Sequence, residues 1–246
     1  MKFSHISDIH IHNLKYHKEQ KQVFEKVYEH LKVNKVDINI LTGDLFHIKG
    51  NVTPEAYQAA ADFLKNLADI APTHIILGNH DLILSNKNRL DSVSPVVDAL
   101  NHPLLFLHKN SAEITIGDGK FALNVMSIVD EQEDWIPVSN PNAVNIGLYH
   151  GSVAGVLTDQ NWVMTHGEID VEKFADFDYV LLGDIHKANQ ILDTEGRVRY
   201  AGSLCQNNFG DLDDKGFLIW DIKDKNNFTV EHIHIPNPKP FTIHPT

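Results

Sequence analysis

The stretch HIILGNHD, His74 to Asp81, runs a short apolar strand into a glycine and then delivers asparagine, histidine and aspartate in succession. Gly78 lets the backbone turn where a Cβ would be in the way. The same layout recurs along the chain. SDIH (7–10) follows a strand over 2–7, TGDLFH (42–47) follows 38–41, YHG (149–151) follows 146–149, and LGDIHK (182–187) follows 179–182. Each places Asp, Asn or His at the carboxyl end of a buried-looking strand, the edge where open α/β sheets build ligand sites. A single copy reads as a turn. Five copies, each after an apolar strand, call for a shared site.

Working outward, the spacing of Val23, Phe24, Val27, Tyr28 and Leu31 predicts a helix over 18–33. Thr53-Pro54 supplies an N-cap and a first-turn proline for a second helix, whose apolar face is Ala56, Ala59, Ala60, Phe63, Leu64 and Leu67. A third helix is expected over 89–100. Strands alternating with helices imply parallel pairing through right-handed crossovers. The second half is richer in strands. GDGK between 114–116 and 121–126, and DTEG between 190–192 and 197–200, are hairpin signals, and strands over 217–220 and 229–235 close the set. One α/β domain is expected over residues 1–236. PNPKPFTIHPT (236–246), with its four prolines, reads as an extended tail over 237–246.

At 246 residues the chain can bury one substantial core. No apolar run approaches the roughly 20 residues that span a bilayer, and no signal-peptide layout opens the sequence, so no membrane association is expected. The single cysteine, Cys205, cannot form an internal disulfide, and the default compartment is cytoplasmic. Lys+Arg number 21 against 33 Asp+Glu, a net charge of −12, opposite in sign to that of an ordinary polyanion binder.

Asp8, His10, Asp44, Asn79, His150, Asp184 and His186 form a mixed oxygen and nitrogen donor set without thiolate, suited to Mn²⁺, Fe²⁺ or Zn²⁺. Two such ions about 3.5–4 Å apart would polarise a phosphoryl oxygen and activate a water for in-line attack. Alternation is a poor guide to the ligands. In SDIHIHN (7–13) a period of two would put Asp8, His10 and His12 on one side of a strand, yet EHIHIP (231–236) has the same rhythm with no turn glycine beside it. His12 is expected beyond the strand end and outside the metal set, with His232 and His234 structural. His30, His102, His108 and His244 read as solvated or locally bonded, while His17 and Arg89 are candidates for phosphate contact. Cys205 reads as a packed apolar residue, because no base is paired with it locally.

The ordered motifs D-x-H, G-D, G-N-H-D, H and G-D-x-H resemble those of the calcineurin-like metallophosphoesterase superfamily over nearly the whole chain. The resemblance implies a four-layer α-β-β-α sandwich with mixed sheets. It implies one metal on Asp8, His10, Asp44 and His186, and a second on Asp44, Asn79, His150 and Asp184. It also implies that His80 stabilises the transition state or protonates the leaving oxygen, oriented by Asp81. Asp184 departs from the family pattern, which has histidine there. Its carboxylate can ligate a hard cation but adds negative charge, and loss of the second metal is the failure case.

Further segments resemble the SbcD-type nucleases of DNA double-strand-break repair, especially the recombination endonuclease subunit of tailed bacteriophages. His47 in TGDLFH, RYAGSLCQNNFGD (199–211) with Ala201 for the usual proline, and DKGFLIWDI (214–222) carry that likeness. It implies Mn²⁺-dependent exonuclease action on duplex DNA ends and endonuclease action on single strands or hairpins. A homodimer, an SbcC-type ATPase partner and the cytoplasm of a bacterium or phage-infected cell go with it. His47 is expected at the site rim, touching phosphate or the leaving strand, and Ser203 is expected to buttress the ligands. The capping and ATPase-binding segments of such relatives are expected outside this sequence. Two alternatives stay open. One is a metallophosphoesterase for a cyclic nucleotide, nucleotide-sugar or phosphoprotein, and the other is an inactive scaffold for an ATPase.

Overall fold

In chain order the first half holds β1 (Lys2–Ile6), α1 (His17–Asn34), β2 (Ile38–Thr42), α2 (Pro54–Ile70), β3 (Thr73–Ile76), α3 (Ser94–Leu100) and β4 (Leu105–His108). The second half holds β5 (Ala112–Ile116), β6 (Phe121–Met126), β7 (Val144–His150) and β8 (Tyr179–Gly183). It ends with β9 (Gln190–Ile191), β10 (Val198–Tyr200), β11 (Gly216–Ile222) and β12 (Phe228–His234). The structure, a computed structural model, describes residues 1–86 and 88–241.

These strands make two six-stranded sheets, ordered β12-β11-β1-β2-β3-β4 and β5-β6-β7-β8-β10-β9. In the first, β1 to β4 are parallel, with Phe3 opposite Ile38 and Ile6 opposite Leu41, while β11 and β12 add an antiparallel edge. In the second, β6, β7, β8 and β10 are parallel and flanked by the two expected hairpins. Strand alternation sorts the first sheet's side chains. Phe3, Ile38, Ile40 and Trp220 face Leu123, Ile146, Tyr179 and Leu181 across the sandwich. Ile6, Leu41 and Ile75 face Val27, Leu31, Phe63 and Leu64 of the helices. The outer face of the second sheet is covered by loops and a 3₁₀ turn, Val171–Phe174, which seat Val153, Val156, Ile169 and Phe174 on Val180 and Leu182. The α/β class with two mixed sheets is as expected. Among the described residues that outer layer contains no α-helix.

Three local expectations are revised. The third helix spans only Ser94–Leu100, because the buried Asp91 carboxylate accepts the N–H groups of Val93 (3.0 Å) and Ser94 (2.6 Å) and so holds residues 91–93 as its cap. The first strand stops at Ile6, so Asp8 and His10 stand in a loop and the period of two never applies to them. The tail does not leave the domain at Asn237. Gln206 Oε1 accepts from the Phe241 N–H (3.0 Å) and from Asn237 Nδ2 (3.3 Å), which draws 237–241 back over the loop at 206–213. Residues 242–246, His244 among them, lie outside the described residues. The Thr53 cap forms as expected, its Oγ1 accepting from the Ala56 N–H at 3.4 Å. Among the described residues no helix is long and apolar enough to cross a membrane.

Candidate metal centre

The carboxyl ends of β1, β2 and β3 meet those of β7 and β8 at one edge of the sandwich, so the site draws on both sheets. Reaching it bends the backbone. Asp8 (φ 50°), His10 (48°), Asp44 (56°) and Asp184 (101°) all occupy the left-handed region, which costs a non-glycine residue about 1–2 kcal/mol. Backbone bonds hold them there, from Asp8 N–H to Gly43 O (3.2 Å) and His10 N–H to Asp44 O (3.0 Å). At Gly78 any Cβ would collide with the Asp44 carboxylate, and at Gly183 with the Thr42 carbonyl. Behind the centre His5 Nε2 lies 3.1 Å from both Thr42 Oγ1 and Leu182 O, linking the first sheet to the second.

Two donor clusters share one carboxylate. Asp8 Oδ2 accepts from Ser7 Oγ (2.5 Å) and the Asp184 N–H (3.1 Å), leaving Oδ1 buried with no hydrogen-bond partner. His10 Nε2 stands 3.8 Å from that Oδ1, 3.6 Å from Asp44 Oδ2 and 3.0 Å from His186 Nε2. On the other side of Asp44, Oδ1 lies 3.3 Å from His150 Nε2, which in turn is 3.9 Å from Asp184 Oδ1. Asn79 joins this second cluster by donating from Nδ2 to Asp184 Oδ1 at 2.8 Å. His150 Nδ1 donates to the Thr42 carbonyl at 2.6 Å, so the tautomer is fixed and the Nε2 lone pair faces the centre without a partner.

These separations suit cations. Around an ion with bonds of about 2.1 Å, neighbouring donors stand roughly 3–3.6 Å apart. The orphaned Asp8 Oδ1 and His150 Nε2 carry the cost of unmet polar groups until something positive meets them. Asp8, His10 and His186 form one ion-sized group, Asp8, Asp44 and His150 a second that shares Asp8 with it, and His10, His47 and His80 a third. With Asp44 offering Oδ2 toward His10 and Oδ1 toward His150, the residues present fit a pair of divalent ions.

Electrostatics agree with the geometry. Burial drives the Asp8 carboxyl up and the His10 imidazole far down, so both resist carrying charge alone. Burial also opposes charge on His150, but Asp44, Asp8 and Asp184 outweigh it and raise the imidazole above its ordinary value, so that without a cation the three carboxylates draw a proton to Nε2, the positive charge that a metal ion would replace. Asp44 is lowered despite its burial by His150 and His10. His186 is raised against burial by Asp211 and Asp8.

The structure brings together Asp8, His10, Asp44, Asn79, His150, Asp184 and His186, with His80 and His47 beside them. His10 rings with His80 at 4.9 Å and with His47 at 5.4 Å. Asp81 plays a different part from the one expected. Its buried carboxylate accepts from the N–H groups of Asp44 (2.9 Å), Gly78 (2.9 Å) and Phe46 (3.2 Å), and burial followed by Asp44 pushes its pKa up to about 7. The backbone N–H groups of two loops converge on it, which leaves His80 to be oriented by the His47 carbonyl, 2.6 Å from His80 Nδ1. Ser203 meets the ligands through its backbone, donating to His186 O at 3.0 Å. His12 stacks on His47 at 3.9 Å outside both clusters, and His17 Nε2 is occupied by the His12 carbonyl at 2.5 Å. His234 bonds the Asp213 carbonyl on β12, away from the centre. The Cys205 thiol is buried and pushed up to about 12 by that burial, as befits a packed residue.

Two contributors were missed, though both fall within the quoted segments. Asp211 Oδ2 faces His186 Nδ1 at 3.8 Å, and the carboxyl is held down at about 2 against its burial, first by His186. Lys215, fully buried, donates to Asp159 Oδ2 and to the His186 carbonyl, both at 2.8 Å. Neither spacing signals a ligand motif, and the burial of Lys215 shows only in three dimensions.

The sequence matches the calcineurin-like phosphoesterase family over residues 1–188, and the chain belongs to that family. With a centre of this make-up it is a metal-dependent phosphoesterase. It is 37% identical over 239 residues to an uncharacterized protein of Acanthamoeba polyphaga mimivirus, an alignment covering 92% of this chain but 18% of that protein. It is 23% identical over 264 residues to the D subunit of the SbcCD nuclease of Staphylococcus epidermidis, covering 96% of this chain and 69% of that one. The chain thus spans under a fifth of one relative and about two thirds of the other. Among solved structures it resembles a dimetal phosphatase from Danio rerio, with a TM-score of 0.54, 10% identity, and coverage of 94% of this chain and 98% of the other. That likeness is one of fold.

Proposed function

We propose that the chain is a two-metal DNA nuclease of the SbcD type, with Mn²⁺ as its working ion. The observation that carries this reading is the extent of the likeness to the SbcCD subunit. It covers 96% of the chain, whereas the family match ends at residue 188. It therefore takes in the segment after the last metal motif, where Asp211 and Lys215 brace His186.

In this reading Asp8, His10, Asp44 and His186 hold one ion and Asp44, Asn79, His150 and Asp184 the other. The pair supplies Lewis-acid polarisation of the scissile phosphate and a water of lowered pKa. The protein supplies the rest. Asp44 presents one carboxylate oxygen to each cluster and fixes their spacing. The His47 carbonyl accepts a hydrogen bond from His80 Nδ1–H, so that Nε2 is the nitrogen turned to substrate. As the imidazolium, His80 carries a second proton there, placed to stabilise negative charge or to be given to the leaving oxygen, which leaves the neutral ring. His47 packs against both His10 and His80 and sets the position of the latter. An SbcC-type ATPase partner and a homodimer belong to the same reading, as does double-strand-break repair in a bacterial or phage-infected cell.

The test is hydrolysis of blunt, overhanging and hairpin DNA with and without Mn²⁺, beside Asp8→Ala and His80→Ala. Both variants are expected to lose DNA cleavage while His80→Ala keeps its metals. Intact DNA after incubation with the doubly metal-loaded wild type would refute the nuclease assignment. The net charge of −12 favours a second reading, hydrolysis of a smaller phosphoester. Turnover of bis-p-nitrophenyl phosphate without DNA cleavage would select it.

A further inference from the structure

A line of rings leads away from the metal centre. His80 stacks with His47 at 5.9 Å and His47 with His12 at 3.9 Å. His12 meets Tyr16 at 5.1 Å, Tyr16 meets Phe241 at 5.4 Å, and Phe241 meets Phe209 at 5.0 Å. The outer rings wall a cavity of about 330 Å³, within the size range of small-molecule pockets. Phe209 is 61% exposed and Tyr16 37%, so apolar ring faces are open to solvent beside the catalytic edge.

One polar group in this wall lacks a partner. Gln20 is 4% exposed and its Nε2 donates to the carbonyls of Ile9 (3.3 Å) and His10 (3.1 Å). Those bonds fix the amide, and its buried Oε1 is left with nothing to accept from. Stacking faces around a buried acceptor suit a flat heterocycle with an N–H edge. Every nucleobase has the stacking face, and most present such an edge.

We infer that this cavity is a base-binding subsite, taking one unstacked nucleobase of the strand whose phosphate lies at the metal centre. The base stacks on the open ring faces of Phe209, Phe241 and Tyr16, with the Gln20 amide in the wall behind it. The subsite rests on the nucleic-acid reading above and adds to it a preference for unpaired strand, because a base within a duplex cannot enter. Affinity here comes from stacking rather than from phosphate contacts, which suits an acidic chain.

The test compares kcat/KM in Mn²⁺ for a single-stranded 20-mer with that for bis-p-nitrophenyl phosphate, which has no base, and reads the ratio of the two. Phe209→Ala is expected to lower this ratio about 10- to 100-fold, the effect of one stacked base, and Phe209→Tyr to restore it. In 20-mers carrying one abasic residue at successive positions, a single position is expected to lower the wild-type ratio by a similar factor. That position is expected to leave Phe209→Ala no worse, since the ring and the base act on each other. An unmoved ratio in Phe209→Ala, or abasic losses that add to the variant's own, would overturn the subsite while leaving the nuclease reading intact. A wild type that hydrolyses bis-p-nitrophenyl phosphate and no oligonucleotide would overturn both.

Discussion

Asp44 presents its two carboxylate oxygens to different histidines, Oδ2 to His10 and Oδ1 to His150, whereas the Asp184 carboxylate meets only His150 and Asn79 of the second cluster. Metal stoichiometry should follow this division. Asp184→Ala is expected to keep about one equivalent of Mn²⁺ and Asp44→Ala close to none, against about two for the wild type, measured by elemental analysis after gel filtration. His80→Ala is expected to keep both ions and lose about 10²–10⁴-fold in kcat, the usual share of a positioned proton donor. Residue-level physics also sets an acid limit. Burial pushes His5 down to about 3, below its ordinary 6.5, so the unfolded chain takes up that proton first. Stability from this group is complete above pH 6.5 and falls as pH drops through the window from 6.5 to 3. The loss at pH 5 is about 2 kcal/mol. Urea denaturation of the metal-free wild type and of His5→Gln, each at pH 7 and pH 5, isolates it, and the variant is expected to lose about 2 kcal/mol less between the two pH values.

At the scale of elements, the turn after each strand matters as much as the ligand it carries. A methyl group at residue 183 would collide with the Thr42 carbonyl, which also fixes the His150 tautomer. Gly183→Ala is therefore expected to cost about 1–3 kcal/mol in chemical denaturation and to weaken Mn²⁺ binding, although no ligand changes. Lys215→Met is a sharper case. It leaves Asp159 buried without its cation and frees the His186 carbonyl, so a loss of about 3–5 kcal/mol is expected by the same measurement. These contacts mark the boundary of what the sequence shows. GNHD, GDLFH and GDIH were legible because strand, glycine and ligand are consecutive. Asp211 and Lys215 reach His186 across separations that leave no periodic trace, and Asp91 caps a helix from within a segment that reads as part of it. Asp81 stands inside a legible motif, yet its three backbone donors come from the packing of two loops and could not be counted along the chain.

For the whole molecule, charge and assembly set the limits. With 33 acids against 21 bases, and Lys215 buried in its own ion pair, few cations remain to track a phosphate backbone. Duplex binding by the isolated chain is expected to be weak at physiological salt and to show a shallow dependence on salt concentration. Fluorescence anisotropy from 50 to 200 mM salt reads this directly, and a steep slope would show a basic face elsewhere. The sheet order explains a further property. The centre takes Asp8, His10, Asp44 and Asn79 from loops of the first sheet, and His150 from the end of β7 with Asp184 and His186 from the loop after β8 in the second, and among the described residues no strand of one sheet pairs with a strand of the other. A bound ion pair would then act as a rivet through two plates that otherwise meet only through side chains. Metal release becomes a matter of the plates breathing apart, not of one ligand letting go. Chelation is accordingly expected to speed deuterium uptake in β2 and β8 together, as one opening event, while α1 and α2, packed on the far side of the first sheet, keep their protection.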